Sequence, residues 1–258
     1  MHVDQRSVVD YPFNNCPSDR RDLRVRSLGD KPPSGGFFIS EISNLMKTIV
    51  YIDGYNLYYG FLRKSEYKWL DLFQLFVDNV LSEDSELLQV KYYTAPVLGR
   101  MSDDPKSPQR QRTYLQALRK YRPKLVSIIE GKIIASISIQ RNLNPPPDYV
   151  KFRRFEEKQS DVSIAVDMAC DALTGVCEQV VLCSNDSDLV PVVRKIRHLT
   201  PNIRVGLVSP ILKGTGRHAS SELRRHTHWH KLIKAEYLKS SQLPYRIPNT
   251  SITKPAAW

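Results

Sequence analysis

No stretch of this sequence approaches the roughly 18 uninterrupted apolar residues that a membrane-spanning helix needs, and no early apolar run leads to a small-residue cleavage site. Neither a membrane protein nor a secreted one is expected. Cysteine is sparse: Cys16, Cys170, Cys177 and Cys183 show no close paired spacing, and the last three lie in apolar segments where a thiol behaves as a small hydrophobe. That argues against a disulfide scaffold and fits a reduced, cytoplasmic setting. Acidic residues are in the minority, 27 against 38 basic ones, for a net charge of +11. Residues 1–45 are balanced in charge, so the surplus belongs to 46–258 and concentrates in 98–124 and 217–258. Focused positive charge attracts phosphate backbones and speeds encounter with them. A basic soluble protein with no polyanion partner is the plainer alternative.

What is present is an ordinary globular balance, 41% apolar and 25% charged over 258 residues, enough for one sizeable core. Residues 1–45 carry Pro12, Pro17, Pro32, Pro33, Gly35 and Gly36 without a sustained period, and read as an irregular extension. Met46 then stands before the apolar run 47–52, a buried first strand, where a translation start would also fit. Apolar residues Leu70, Phe73, Phe76, Val77 and Val80 predict a helix over 69–81. A strand at 87–95, a basic helix at 108–121 and a strand at 125–129 follow. Segments 133–139 and 149–155 are expected to pair as a hairpin across 142–147. A helix over 161–173 leads to a buried strand at 179–183, a helix at 187–198 and a last clear strand at 203–208. The domain is expected to span 46–240. The tail 241–258 is expected to pack back through Leu243, Tyr245, Ile247, Ile252 and Trp258, a disordered tail being the alternative that its prolines favour. Strands alternating with helices predict an α/β fold with a mainly parallel sheet covered on both faces. Right-handed crossovers would gather the strands' carboxyl ends along one edge, where chemistry is expected.

Three acidic clusters fall at that edge. Asp53, in Tyr51-Ile52-Asp53-Gly54-Tyr55-Asn56, follows the first strand; Gly54 permits a tight departure, and Asn56 can hold the turn or orient a metal-bound water. A plain Asx turn would explain these residues as well. Asp161 shares its helical face with apolar Ala165, Met168 and Ala172, and can cap the helix, bind a cation, or do both. Ser184-Asn185-Asp186-Ser187-Asp188 supplies two acids where a strand turns into a helix, one more than a cap requires. Metal-assisted phosphodiester cleavage has a use for that surplus, because clustered carboxylate oxygens hold hard cations and are relieved by them. Asp167 can line the rim of such a site, and Asp171 is expected to face solvent.

Taken together, the motifs at 50–56, 157–162 and 184–189 resemble the NYN family of PIN-like nucleases, in particular its LabA-like bacterial branch. The resemblance implies a PIN-like three-layer α/β/α sandwich and an acidic pocket for Mg2+ or Mn2+. By position, Asp53, Asp161, Asp186 and Asp188 inherit the metal-site role, and Asp167 matches a further acidic position. The family often carries another acid after the final core strand, where this chain has Arg224, Arg225, His226, Thr227 and His228. The implied activity is hydrolysis of RNA by a metal-activated water. A binding-only RNA regulator and a metal-dependent DNA nuclease are the competing readings, and a homodimer fits the resemblance.

For substrate capture, Lys158, Arg110, Arg112 and Arg119 are candidates for phosphate contacts, Ser184 and Asn185 for polar ones, and Tyr55, with Tyr58 and Tyr59, for stacking on an unpaired base. Each is equally compatible with a solvated surface or a packed loop. His218, His226, His228 and His230 lack the spacing of a structural zinc site, and the last three alternate as in an extended strand. Gly214 and Gly216 read as a flexible turn.

Overall fold

The computed structural model describes residues 45–99, 104–211 and 218–258. The turn at Gly214 and Gly216, and all but the last residue of the 1–45 extension, lie outside the described residues.

The chain opens with strand β1 (Met46–Asp53) and helix α1 (Gly54–Gly60), then α2 (Leu72–Leu75), which continues as a π-turn at Phe76–Val80. Strand β2 (Ser85–Thr94), helix α3 (Ser107–Tyr121) and strand β3 (Val126–Glu130) complete one half. A hairpin, β4 (Lys132–Arg141) and β5 (Tyr149–Lys158), precedes α4 (Ser160–Thr174). The second half runs β6 (Gln179–Cys183), a 3-10 turn at Ser187–Leu189, α5 (Val190–Leu199), β7 (Arg204–Ser209), α6 (Ser221–Arg225), β8 (Trp229–Leu232) and α7 (Ala235–Ser240).

Six strands form one parallel sheet in the order β3-β2-β1-β6-β7-β8, flanked by helices, and β4–β5 form a separate two-stranded sheet. This is the α/β, PIN-like arrangement expected from the alternation of elements. The sequence of β1 shows why both faces are covered. Val50 and Ile52 enter one core with Leu57, Leu72, Leu75 and Leu118, while Ile49 and Tyr51 enter the other with Ile164, Met168, Val193 and Leu223. Burying each such side chain contributes about 1.5–3 kcal/mol relative to exposure, so a one-residue slip of this strand would exchange the two cores.

Two details depart from the sequence pattern. The helix expected over 69–81 begins only at Leu72, because the Asp71 carboxylate accepts hydrogen bonds from Phe73 N and Gln74 N, both at 3.1 Å, and so caps it there. The sheet also gains a strand beyond 203–208: β8 pairs in parallel with β7. Within it, four residues, Trp-His-Lys-Leu, are too short and too polar for a hydrophobic alternation to announce. Further along, Trp69 is fully buried and its indole donates to Pro244 O at 2.9 Å, while Leu243 and Ile247 are buried and Tyr245 is exposed. Among the described residues, no helix is long and apolar enough to cross a membrane.

Candidate functional site

The strand order fixes where a site can form. The chain winds outward from β1 to β2 and β3, then returns to β6 on the other side of β1 and winds outward again. Loops leaving the carboxyl ends of β1 and β6 therefore diverge and leave a crevice. Asp53 is the last residue of β1, and Ser184 to Asp188 follow β6.

Asp53 is buried and rigidly held. Its Oδ1 accepts from Asn56 N at 2.9 Å, and its Oδ2 accepts from Asn56 Nδ2 at 2.6 Å and from Ser184 Oγ at 2.8 Å. An ionised carboxylate offers about four acceptor directions, so one remains. Gly54 makes this turn possible, since a Cβ there would stand 2.5 Å from Tyr93 O. Ser184, fully buried, also accepts from Asp186 N at 3.0 Å, and Asp186 Oδ1 in turn accepts from Asp188 N at 2.9 Å. Asn56 Oδ1 accepts from Asn185 N at 3.3 Å. The two loops are thus stitched together through Asn56 and Ser184.

Asp161 arrives from a third direction. Gln159 bends the chain through a left-handed conformation (φ 86°) between β5 and α4, a costly geometry for a residue with a Cβ. Asp161 then lies in the first turn of α4, where the helix dipole favours an acid, although α4 has no side-chain cap. The acids are near enough to repel one another. Asp161 is exposed rather than packed into the apolar face of α4, yet partial desolvation, then repulsion from Asp53, Asp186 and Asp188, raises its carboxyl to about 6. Burial is likewise the largest influence raising Asp53, with Asp186 adding to it against the hydrogen bonds from Asn56 and Ser184.

Glu157, which the sequence reading did not single out, joins this group. Burial raises its carboxyl, as do Asp53 and Asp161, and Ser160 Oγ donates to it. Its position four residues before Asp161, at the end of a strand, was the available signal. Among the described residues no three of these groups close on one point as a formed metal centre. The donor set is nonetheless all carboxylate oxygen, mutually repelling and partly desolvated, which suits a hard divalent cation.

The remaining sequence candidates fall elsewhere. Asp167 Oδ2 accepts from Tyr93 OH at 2.6 Å. Asp171, expected to face solvent, instead accepts from Tyr51 OH and from Lys91 Nζ, both at 2.6 Å, because those side chains project from the covered face of the sheet toward α4. Asn185 holds the segment before α6, accepting from Ser220 N at 2.8 Å and donating to His218 O at 3.2 Å. Lys158 pairs with Glu156 at 2.8 Å on the exposed hairpin. On α3, Arg112 is exposed and Arg119 bridges to Glu130 at 2.5 Å. Arg110, half a turn of the wheel away from Arg119, points into a cavity beside Tyr55. His228 Nδ1 accepts from Val205 N at 2.8 Å and His230 Nε2 lies 3.1 Å from Ser209 Oγ, so both brace the β7–β8 edge. The hairpin adds a surface that sequence reasoning did not use. Cross-strand pairing puts Lys151, Arg153, Ile137, Ile139 and Tyr149 on the same face as Glu157, and those five are exposed.

Residues 47–232 match the NYN domain. The chain belongs to the NYN domain family. Its fold is accordingly nuclease-like, in a family whose members are typically nucleases that use divalent metals and act on nucleic acid. A protein of Pseudomonas putida (strain DSM 28022 / S16) named 6-hydroxy-3-succinoylpyridine 3-monooxygenase HspA is 34% identical over 240 residues, 84% of this NYN chain and 76% of that protein. A crystal structure of a protein of unknown function from Vibrio parahaemolyticus RIMD 2210633 covers 78% of this chain and 98% of its own, with a TM-score of 0.45 and 21% identity.

Proposed function

We propose that this NYN domain hydrolyses phosphodiester bonds in RNA, using Mg2+ or Mn2+ held by Asp53, Asp161, Asp186 and Asp188, with Glu157 as a fifth acid. The observation that supports the reading is the approach of these carboxylates from three separate elements, whose repulsion adds to desolvation in raising Asp161 to about 6. Unrelieved, such a cluster repels both itself and a phosphate; a bound divalent cation supplies charge neutralisation and Lewis acidity there. Asn56 and Ser184 hold the Asp53 carboxylate in one orientation, so no reorganisation of that group is needed during reaction. Arg112 and the Lys151–Arg153 face of the hairpin supply phosphate contacts outside the acids, and Tyr149 offers an exposed ring on that face for an unpaired base. The reaction is attack of water on phosphorus with departure of a ribose oxygen, and no residue forms a covalent intermediate. Incubating the full chain with labelled single-stranded RNA, the matching DNA and a small phosphoester under Mg2+ or Mn2+, with EDTA as control, tests it. Metal-dependent RNA cleavage is expected. RNA binding without turnover would overturn hydrolysis in favour of a regulator, and faster DNA cleavage would reassign the substrate.

A second reading rests on the Pseudomonas putida relative, whose name records oxygenation of 6-hydroxy-3-succinoylpyridine and whose identity to this chain is 34% over 240 residues. In that reading one oxygen atom of O2 is transferred to the pyridine substrate and the other leaves as water, with two electrons drawn from an external two-electron reductant. Oxygen uptake that requires both the pyridine and the reductant, in a chain that leaves RNA intact, would establish it over hydrolysis.

A further inference from the structure

Next to the acids lies a cavity of opposite character. It has a volume of about 180 Å³ and is bounded by the end of β2, by α1, α3 and the carboxyl terminus. Its walls are aromatic: Tyr55, Tyr58, Tyr59, Tyr92, Tyr114 and Trp258. Tyr55 and Tyr59 lie 5.1 Å apart between ring centroids, and Tyr114 meets Trp258 edge-on at 5.9 Å, so these rings form a packed wall rather than independent side chains. Three cations, Arg63, Lys68 and Arg110, line it, and no acidic side chain does so among the described residues.

The cations are unevenly satisfied. Arg63 stacks over Tyr59 at 5.5 Å, and Lys68 Nζ donates to Ser65 O at 2.6 Å. Arg110 uses one guanidinium nitrogen for Asp104 and Ser107, while its Nε is buried and has no hydrogen-bond partner among the described residues. That Nε is shielded from the cavity as well as from solvent, so a ligand anion would meet the accessible edge of the guanidinium instead, where a charge-assisted bond can form. Burial, and then the like charge of Arg110, hold the Lys68 ammonium below its ordinary value. An anion between the two would offset that repulsion, adding to the Asp104 carboxylate already paired with Arg110.

We infer that this cavity is a binding site for a small single-ring aromatic carboxylate, its ring against the tyrosine and tryptophan wall and its carboxylate between Arg110 and Lys68. Size separates this ligand from a nucleotide. An apolar cavity of about 150 Å³ holds one benzene, so 180 Å³ takes one ring with a short substituent. Pockets for larger, drug-sized ligands run to roughly 300–1,000 Å³. The inference does not rest on phosphodiester hydrolysis, because none of the carboxylates assigned to that reaction lines the cavity.

Isothermal titration of the full chain with benzoate and nicotinate, against benzamide, nicotinamide and uridine 5′-monophosphate, tests it. The acids are expected to bind with Kd of about 1 mM or tighter, and the amides at least about tenfold more weakly, since only the acids bring a negative charge to the Arg110 and Lys68 side of the cavity. Arg110→Gln and, separately, Lys68→Gln should each erase the preference for acid over amide. Lys120→Gln, on an exposed part of α3, should leave it intact. Equal binding of acids and amides, tighter binding of the nucleotide than of either acid, or an undiminished preference in folded Arg110→Gln and Lys68→Gln would each overturn the assignment. RNA cleavage, measured separately, would be unaffected by that failure.

Discussion

Two sets of aspartates meet on or beside α4, and they live under opposite conditions. Asp167 and Asp171 sit one turn apart and each receives a short hydrogen bond from a tyrosine of the sheet, with Lys91 adding an ion pair to Asp171. Asp161, at the start of the same helix, faces Asp53, Asp186 and Asp188, and their repulsion helps to raise its carboxyl. The first set is satisfied by the fold, and its removal should be felt as lost stability. The second is held together against its own repulsion, a condition that protonation or a bound cation relieves. We propose that repulsion between neighbouring acids, rather than acidity or position on a helix, marks the functional carboxylates here.

The sharpest way to break this comparison is to neutralise one acid of each kind. Asp53→Asn and Asp186→Asn are expected to lower metal-dependent RNA cleavage per folded molecule on the order of 10²–10³-fold, with the unfolding curve of Asp186→Asn close to the parent's. Asp171→Ala should do the reverse: lose about 2–3 kcal/mol of stability in urea denaturation, since Tyr51 OH and Lys91 are left without their acceptor, while cleavage per folded molecule is kept. Equal loss of activity in Asp171→Ala and Asp53→Asn, at matched folded fraction, would erase the distinction.

A subtler separation comes from pH in the presence of EDTA. The Asp161 carboxyl rises from an ordinary 3.8 to about 6 in the folded state, so the folded protein binds more protons than the unfolded one between those values. Stability contributed by this group is therefore greatest below about pH 4, falls as pH rises toward about 6 and stays reduced above it. Asp161→Asn should flatten that decline and melt higher than the parent at pH 7, as followed by Tm from pH 4 to 8. Parallel curves for parent and variant would show that Asp161 is not strained by its neighbours.

The smallest expected effect lies outside both sets. Neutralising Arg112 and Arg153 should weaken RNA binding and reduce the salt slope of log K by about 1.4 for a single strand, leaving saturated single-turnover cleavage unchanged. An unaltered slope would remove α3 and the hairpin from the substrate path.

Much of this was legible in the sequence, for a physical reason. An apolar run ending in Asp53-Gly54, and another ending in Ser184-Asn185-Asp186, mark strand ends in an alternating α/β pattern, and strand ends meet at one edge. The hairpin was legible from two β-rich segments flanking Pro145 to Pro147. Three features were not. Glu157 reaches the acids only because β5 returns from the hairpin and Gln159 turns sharply into α4. Asp171 was expected in solvent because its partners, Tyr51 and Lys91, are distant in sequence and lie on strands read as merely apolar. Arg110 shares a basic helix with Arg112 and Arg119, but composition does not tell which of them turns inward to the tyrosines.

The central claim is that the mutually repelling acids hold a divalent cation and that Asp171, paired with Lys91, does not. Titration with Mn2+ followed by electron paramagnetic resonance at pH 7, comparing the parent with Asp53→Asn, Asp186→Asn and Asp171→Ala, tests it most directly. The account predicts saturable Mn2+ binding that both Asp53→Asn and Asp186→Asn weaken at least about tenfold and that folded Asp171→Ala retains. Binding unchanged in Asp53→Asn and Asp186→Asn, or lost equally in all three variants, would contradict it.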